Sequence, residues 1–325
     1  MQINQNSTLS VAPMMDWTDR LCRDLHRMMS RHALLYTEMV TAPAIIHGNR
    51  TRLLDYDAAE HPVALQLGGS DPDELREATR IASDWGYDEI NLNVGCPSDR
   101  VQSGCFGAVL MKTPDLVADC VAAMMAVSPV EVTVKCRIGV DDQDPAQILP
   151  GFIARMREAG VRRIAIHARK AWLQGLSPRE NREVPPLDYP LVHTMKREFP
   201  DLHLSVNGGI ASLNEARAHL QVMDGVMIGR AAYHQPWGIL GGADLLWDAE
   251  PPFSSPRDVA VAMRPRIEAH LRAGGRLHQY SRHMLGLFHG QPGARGWKRI
   301  LSEGASKGGI EVYDAALAQV TRIAA

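Results

Sequence analysis

What the sequence lacks narrows its class first. No apolar run approaches the length needed to cross a bilayer, so no membrane role is expected. The start, Met1–Ser7, is polar and has no basic segment followed by an apolar core, which argues against a secretory leader. Cysteine pairing is also missing. Cys22, Cys96, Cys105, Cys120 and Cys136 form no Cys-x-x-Cys pair and no metal-ligand spacing, and their number is odd. Free thiols in a reducing cytoplasm, with no bound metal, are the expectation. An excess of positive charge is absent too, since the formal net charge is −2. Any contact with nucleic acid must therefore come from local basic patches.

What is present is an alternation of short β-rich runs with helical patterns. The runs are Leu9–Met14, Ala33–Met39, His61–Leu67, Glu89–Val94, Glu131–Gly139, Arg163–Lys170, His203–Gly209 and Gly225–Arg230. A helix is expected over Asp19–Met29, and another from Asp71-Pro72 to near Gly86. This order implies a parallel sheet. Eight such units within about 240 residues match the size of a (β/α)8 barrel. The fold class is α/β, a (β/α)8 TIM barrel over residues 1–250 followed by a small all-helical domain over residues 251–325. Trp237 to Trp247 is expected to be helical, and Pro251–Pro256 to be a linker.

Polar residues mark the C-terminal ends of the strands, where parallel α/β folds place their chemistry. Gln66, Asn93 with Cys96, Lys135, His167, Asn207 and Arg230 all lie at or just beyond such ends. A lone cysteine is more often a small buried residue. Here Gly95 and Pro97 break the fourth run on either side of Cys96 and expose it. Asn207-Gly208-Gly209 and Gly229-Arg230 follow strands seven and eight, where barrels often build a phosphate site. Glycines let backbone N–H groups approach phosphate oxygens, and arginine adds a charged fork.

Two basic clusters stand out locally. Arg169, Lys170, Arg179 and Arg182 lie in the long segment after strand six, and segments of that length are usually functional. In the C-terminal region Arg264, Arg266, Arg272, Arg276, Arg282, Arg295, Lys298 and Arg299 outnumber Asp258, Glu268 and Glu303. That excess fits a polyanion-binding surface.

Several segments together resemble the tRNA-dihydrouridine synthases, A subfamily. They are Ala12-Pro-Met-Met-Asp-Trp-Thr-Asp19, Leu35–Met39, Pro62–Gly69 and Asn91-Leu-Asn-Val-Gly-Cys-Pro-Ser-Asp-Arg100. With them go Val134-Lys135, Ile166-His-Ala-Arg-Lys-Ala-Trp-Leu173, Asn181-Arg-x-x-Pro-Pro-Leu-Asp188, Asn207–Gly209 and Gly229-Arg230. The resemblance runs over about residues 9–300; Cys105 is not a position it requires.

It implies a barrel that holds FMN, uses NADPH as electron donor, and reduces the C5–C6 double bond of D-loop uridines, at positions 20 and 20a. Carried over, Pro13, Met14 and Met15 line the flavin, Gln66 bonds the isoalloxazine edge, and Lys135 serves its N1/C2 carbonyl side. His167 contacts the ring's polar edge, while Asn207, Gly208, Gly209, Gly229 and Arg230 hold the phosphate. Asn93 touches the target nucleotide, and Cys96 is the acid that protonates C5. An ordinary thiol, with a pKa of about 8.5, is protonated at neutral pH and suits that role. Arg169, Lys170, Arg179, Arg182, Arg295 and Arg299 are expected to contact tRNA, and a monomer with no protein partner is expected.

Two other readings compete on sequence alone. A flavin barrel acting on a small molecule shares the phosphate site, the lysine and the thiol but leaves the basic clusters without a role. A non-catalytic RNA-binding protein explains the clusters but not the phosphate loops or Cys96.

Overall fold

The computed structural model describes residues 5–98 and 106–321. Cys105 lies outside the described residues, as do Asp99 and Arg100 of the Asn-x-Gly-Cys-Pro-Ser segment. Eight parallel strands close into one barrel in chain order. They are β1 (Leu9–Val11), β2 (Leu34–Thr41), β3 (Val63–Gly68), β4 (Glu89–Val94), β5 (Glu131–Arg137), β6 (Arg163–His167), β7 (His203–Asn207) and β8 (Gly225–Ile228). Register pairing of β1 with β8, Ser10 opposite Met227, closes the ring.

Helices cover the outside, and local chemistry sets where they begin. Asp19 accepts from the Cys22 amide and starts the helix Arg20–Met29. Asp-Pro pairs at Asp71-Pro72 and Asp144-Pro145 start Pro72–Ser83 and Pro145–Glu158, each aspartate capping amides that the helix leaves unpaired.

Period-two alternation divides every strand between two environments. Ile90, Leu92 and Val94 of β4, Val132, Val134 and Cys136 of β5, and Ile164 and Ile166 of β6 join the large apolar shell between sheet and helices. The inward positions differ. A small cluster of Ala12, Leu34, Tyr36, Ala64, Ala165 and Met227 supplies apolar filling. Beside it sit the buried polar side chains Glu89, Asn91, Asn93, Gln66, Thr133, Arg137, Arg163 and His167. The polar character expected at the strand ends thus runs the full depth of the lumen.

Several boundaries depart from expectation. β1, β6 and β7 stop at Val11, His167 and Asn207, so the residues after them belong to loops. Short helices Ala42–His47 and Arg50–Leu54 follow β2, where none was expected. The expected helix over Trp237–Trp247 is broken. Pro236–Leu240 is helical, Gly241-Gly242 interrupts it, and Ala243–Trp247 is a separate 3-10 turn. A β-carbon at Gly241 would lie 2.6 Å from the Trp237 ring, so the chain turns where only glycine fits.

Four helices complete the chain: Pro256–Arg272, Leu277–Met284, Ala294–Gly304 and Ile310–Thr321. They pack around Trp297 and Tyr313, both fully buried, with Trp297 donating to the Met284 carbonyl at 2.9 Å. They also dock on the helix Arg20–Met29. Arg266 and Tyr280 both hold Asp24, at 2.5 and 2.7 Å, and Arg282 with His283 holds Asp19. Arg264 pairs with Asp314 and Glu268. Three of the arginines counted toward a polyanion surface are therefore engaged by carboxylates.

Candidate active site

Cys96 sits just past the C-terminal end of β4, and a single side chain shapes its turn. The Asn93 amide oxygen accepts from both the Gly95 and Cys96 N–H groups, each at 3.0 Å. The Cys96 carbonyl accepts from Ala108 N–H at 2.9 Å, and Sγ lies 3.5 Å from the Ser98 hydroxyl. Among the described cysteines Cys96 alone is not buried. Burial pushes the Cys120 and Cys136 thiols up to about 12 and raises Cys22 well above its ordinary value.

Arg137, at the C-terminal end of β5, ties three segments together. It donates to the Gly95 carbonyl at 3.1 Å, the Lys170 carbonyl at 3.0 Å and the Asn181 carbonyl at 2.9 Å. Asn181, also buried, organises the segment after β6 by accepting from Trp172 N–H at 2.7 Å and donating to the Trp172 and Leu176 carbonyls. Neither residue was among the expected site residues. Asn181 does stand in the Asn-Arg-x-x-Pro-Pro-Leu-Asp segment, and Arg137 follows Lys135 at the inward spacing of two. Those were the signals available.

The charge of the site is positive and desolvated. Burial, then the neighbouring Arg137, pushes the Lys135 ammonium down to about 8. Among the described residues no carboxylate pairs with it. Burial likewise lowers Arg137, to about 10, which leaves it cationic at neutral pH. His167 faces Asn207 across the β6–β7 register. Burial first, then Arg137, Lys135, Arg169 and Arg230, pushes its pKa well below the ordinary imidazole value. His167 is therefore a neutral donor and acceptor. Lys135, Arg137 and Arg182 all lie near Cys96, which places the thiol among these cations.

The loops after β7 and β8 adjoin this centre. Gly208 and Gly209 have φ of +107° and +74°, a region that side chains avoid. A β-carbon at Gly208 would meet His167 at 2.5 Å, and one at Gly209 would meet Leu187 at 2.5 Å. Asn207 donates to the Met227 carbonyl at 2.7 Å and so couples β7 to β8. Gly229 packs near Met14, and Pro13 and Met14 are half-buried, whereas Met15 is 51% exposed. Arg230 pairs with Glu183 at 2.6 Å and donates to the Arg182 carbonyl at 3.1 Å. Gln66 is fully inside the lumen, bonded to Asn91 and Asn93 at 2.8 Å each.

The basic positions divide into two kinds. Arg169 turns inward and donates to the Pro185 and Glu183 carbonyls, and its buried Nε has no partner among the described residues. Arg179 and Arg182 are exposed on the same segment. Lys170 lies 5.3 Å from the centre of the Trp172 ring, which is 38% exposed. Beside them a cavity of about 610 Å³ opens on the barrel rim, lined by Lys112, Asp141, Gln143, Trp172 and Gln174 among others. Arg295, Lys298 and Arg299 are exposed on the helix Ala294–Gly304. Lys298 is close enough to lower the His234 pKa, so this helix borders the barrel rim next to β8.

Comparison with known proteins adds three findings. Residues 10–322 match the family described as Dihydrouridine synthase (Dus). A relative from Vibrio cholerae, named tRNA-dihydrouridine(20/20a) synthase, is 56% identical over 315 residues, covering 96% of each chain. The Escherichia coli protein of the same name is 57% identical over 312 residues, covering 95% of this chain and 90% of that one. Among solved structures, the old yellow enzyme homologue from Zymomonas mobilis superposes with a TM-score of 0.54 at 13% identity. It covers 75% of this chain and 89% of that one, a likeness of fold.

Proposed function

The chain belongs to the dihydrouridine synthase family, and from that premise we propose that it reduces tRNA uridines to dihydrouridine with FMN and NADPH. The positions 20 and 20a that stand in the relatives' name are the expected targets. The observation that carries the reading is the placement of Cys96, the one half-exposed thiol described, and of neutral His167 around Lys135, which has no carboxylate partner among the described residues.

The residues fit the cofactor. Lys135 is desolvated and lacks a carboxylate partner among the described residues, which suits an electron-rich ring. Gly208 and Gly209 keep β-carbons out of the approach to the β7–β8 loops, where a phosphate can meet backbone N–H groups and Arg230. The orphaned Arg169 Nε adds a buried donor at the same corner.

When bound, FMN supplies the hydride that adds to uracil C6, and NADPH restores it. The protein's share follows from its own groups. Asn93 and Arg137 fix the backbone on both sides of Cys96, so its thiol is presented in a set position. Cys96 Sγ gives a proton to C5, which completes saturation of the double bond. Lys135 offsets negative charge on the reduced ring, and Arg137 adds to the positive field at the same end of the lumen. The C-terminal helices and the segment after β6 receive tRNA. Trp172, backed by Lys170, offers a stacking surface of the kind single-stranded nucleotides use. An extruded base needs such a surface, because the reacting carbons are inaccessible in a stacked D-loop.

The direct test is anaerobic. Reduced protein mixed with unmodified tRNA is expected to reoxidise rapidly, and free uridine is expected to have little effect. A yellow protein whose flavin is not reoxidised by tRNA would reject the reading in favour of a small-molecule reductase.

A second expectation concerns the surface. Arg295→Glu with Arg299→Glu is expected to weaken tRNA binding by tenfold or more and to flatten its salt dependence, since two phosphate contacts are removed. NADPH-driven flavin reduction should be unchanged in the same variant. Stopped-flow reduction beside filter binding separates the two, and equal losses would place these residues elsewhere in the mechanism.

A further inference from the structure

A continuous line of hydrogen bonds crosses the barrel lumen from its base to the Cys96 turn. It starts at Glu89, fully buried at the first position of β4. Glu89 Oε2 accepts from Arg163 at 2.5 Å, and Oε1 accepts from the Tyr36 and Thr133 hydroxyls, both at 2.5 Å. The Thr133 oxygen accepts from Asn91 Nδ2 at 2.8 Å. Asn91 Oδ1 accepts from Gln66 Nε2 at 2.8 Å, and Gln66 Oε1 accepts from Asn93 Nδ2 at 2.8 Å. Asn93 Oδ1 then accepts from the Gly95 and Cys96 amides, at 3.0 Å each.

The direction of the bonds in this line is set consistently from both ends, by a carboxylate that accepts and by the Gly95 and Cys96 amides that only donate. The oxygen and nitrogen of a side-chain amide are interchangeable in shape, so their orientation has to be set by partners. Glu89, held against the permanent cation Arg163, only accepts. Thr133 has one hydroxyl proton, and it goes to Glu89. Its oxygen must therefore accept, which turns the Asn91 amide nitrogen toward it. Asn91 then shows its oxygen to Gln66, Gln66 shows its oxygen to Asn93, and Asn93 shows its oxygen to the turn. Reversal at any amide would set donor against donor in a buried site, where unmade hydrogen bonds are most damaging.

We propose that Thr133 and Asn91 are positioning residues for the proton donor. They connect Glu89 to Asn93 through complementary bonds, restrain the Asn93 side chain, and so hold the Gly95–Cys96 backbone in its reactive turn. Neither residue is required to touch cofactor or substrate. The strand register that makes this possible puts Asn91 opposite both Gln66 and Thr133, and Asn93 opposite Lys135. The proposal rests on the reading of Cys96 as the acid, and its test is chosen to be independent of tRNA.

The test compares three variants by hydrogen–deuterium exchange of the flavin-bound protein in a peptide covering residues 93–98. Thr133→Val removes the hydroxyl at nearly constant shape. It is expected to speed exchange of the Gly95 and Cys96 amides by about tenfold. Thr133→Ser restores the hydroxyl and should return exchange to the wild-type rate. Tyr36→Phe removes an equally short bond to the same Glu89 oxygen but lies off the line, so it should leave the turn protected. In turnover, Thr133→Val should lower kcat about tenfold and leave KM for tRNA unchanged. Wild-type exchange in Thr133→Val, or equal loosening in Thr133→Val and Tyr36→Phe, would overturn the proposal. If Thr133→Val does not fold, Asn91→Leu cuts the same line one step further on and is read against the same outcomes. Failure of the tRNA reaction itself would leave the exchange result standing, so the two readings fail separately.

Discussion

Cys96→Ala is expected to bind flavin at the wild-type level, to be reduced by NADPH at the wild-type rate, and to form dihydrouridine about a thousandfold more slowly. A positioned general acid contributes between a hundredfold and ten-thousandfold, and no other described thiol can substitute. Cys22, Cys120 and Cys136 are buried, with pKa values pushed up by that burial. The side chain is only partly buried against the core, and alanine keeps its β-carbon. Its backbone, by contrast, is held by Asn93 and Ala108, and alanine keeps both of those bonds. The Ser98 hydroxyl, 3.5 Å from Sγ, is a much weaker acid and accounts for the residual rate expected. Single-turnover mixing of the reduced variant with tRNA, with dihydrouridine quantified by mass spectrometry, checks the outcome. A variant within threefold of wild type would remove Cys96 from the reaction.

Lys135→Met is expected to act on the cofactor half of the reaction. The methionine keeps the length and apolar stem of lysine but removes a cation at this end of β5 that has no carboxylate partner among the described residues. Loss of a charge that favours the reduced flavin over the oxidised one should lower the midpoint potential. A hundredfold change in relative affinity corresponds to about 60 mV for a two-electron couple. Flavin reduction by NADPH should slow by a similar hundredfold, while tRNA binding stays near wild type.

The pH dependence of the wild-type protein has a defined sign. Without cofactor, Lys135 loses its proton near pH 8, below the 10.5 of an ordinary lysine. The positive charge is thus present below about pH 8 and lost above it, so initial flavin binding should weaken as pH rises through that value. Between about pH 8 and 10.5 the unfolded chain holds the extra proton, and the contribution of Lys135 to stability improves with pH across that window. Lys135→Met should remove both dependences. Potentiometric titration with flavin-binding curves at pH 7 and pH 9 tests the set.

The barrel was readable because its signals are local. Most strands carry their own two-residue alternation and end at a glycine or a polar residue, as at Val94-Gly95 and Val206-Asn207-Gly208. Gln66, Cys96, Lys135 and His167 could be singled out for the same reason, and the structure brings them to one end of the lumen. Arg137 and Asn181 were not singled out. Their partners are backbone carbonyls on segments far away in sequence, and no spacing announces that. The C-terminal arginines were over-read in the opposite way. Charge counting could not reveal that Arg264, Arg266 and Arg282 face carboxylates supplied in part by the helix Arg20–Met29 and its cap. Gly241-Gly242 broke an apolar stretch that otherwise reads as one helix.

The separation of a polar lumen from an apolar outer shell also predicts how this protein tolerates change. Outward positions such as Ile90, Val132 and Ile164 ask only for volume and hydrophobicity, so exchanges among Ile, Val and Leu there should be absorbed at about 1.5 kcal/mol or less. Inward positions one residue away are bound into shared hydrogen bonds, and a change at one of them alters what its neighbours can accept. Along a single strand such as β4, then, robustness and fragility alternate residue by residue. Sequence drift would be free on one face of the sheet and coordinated, several positions at a time, on the other.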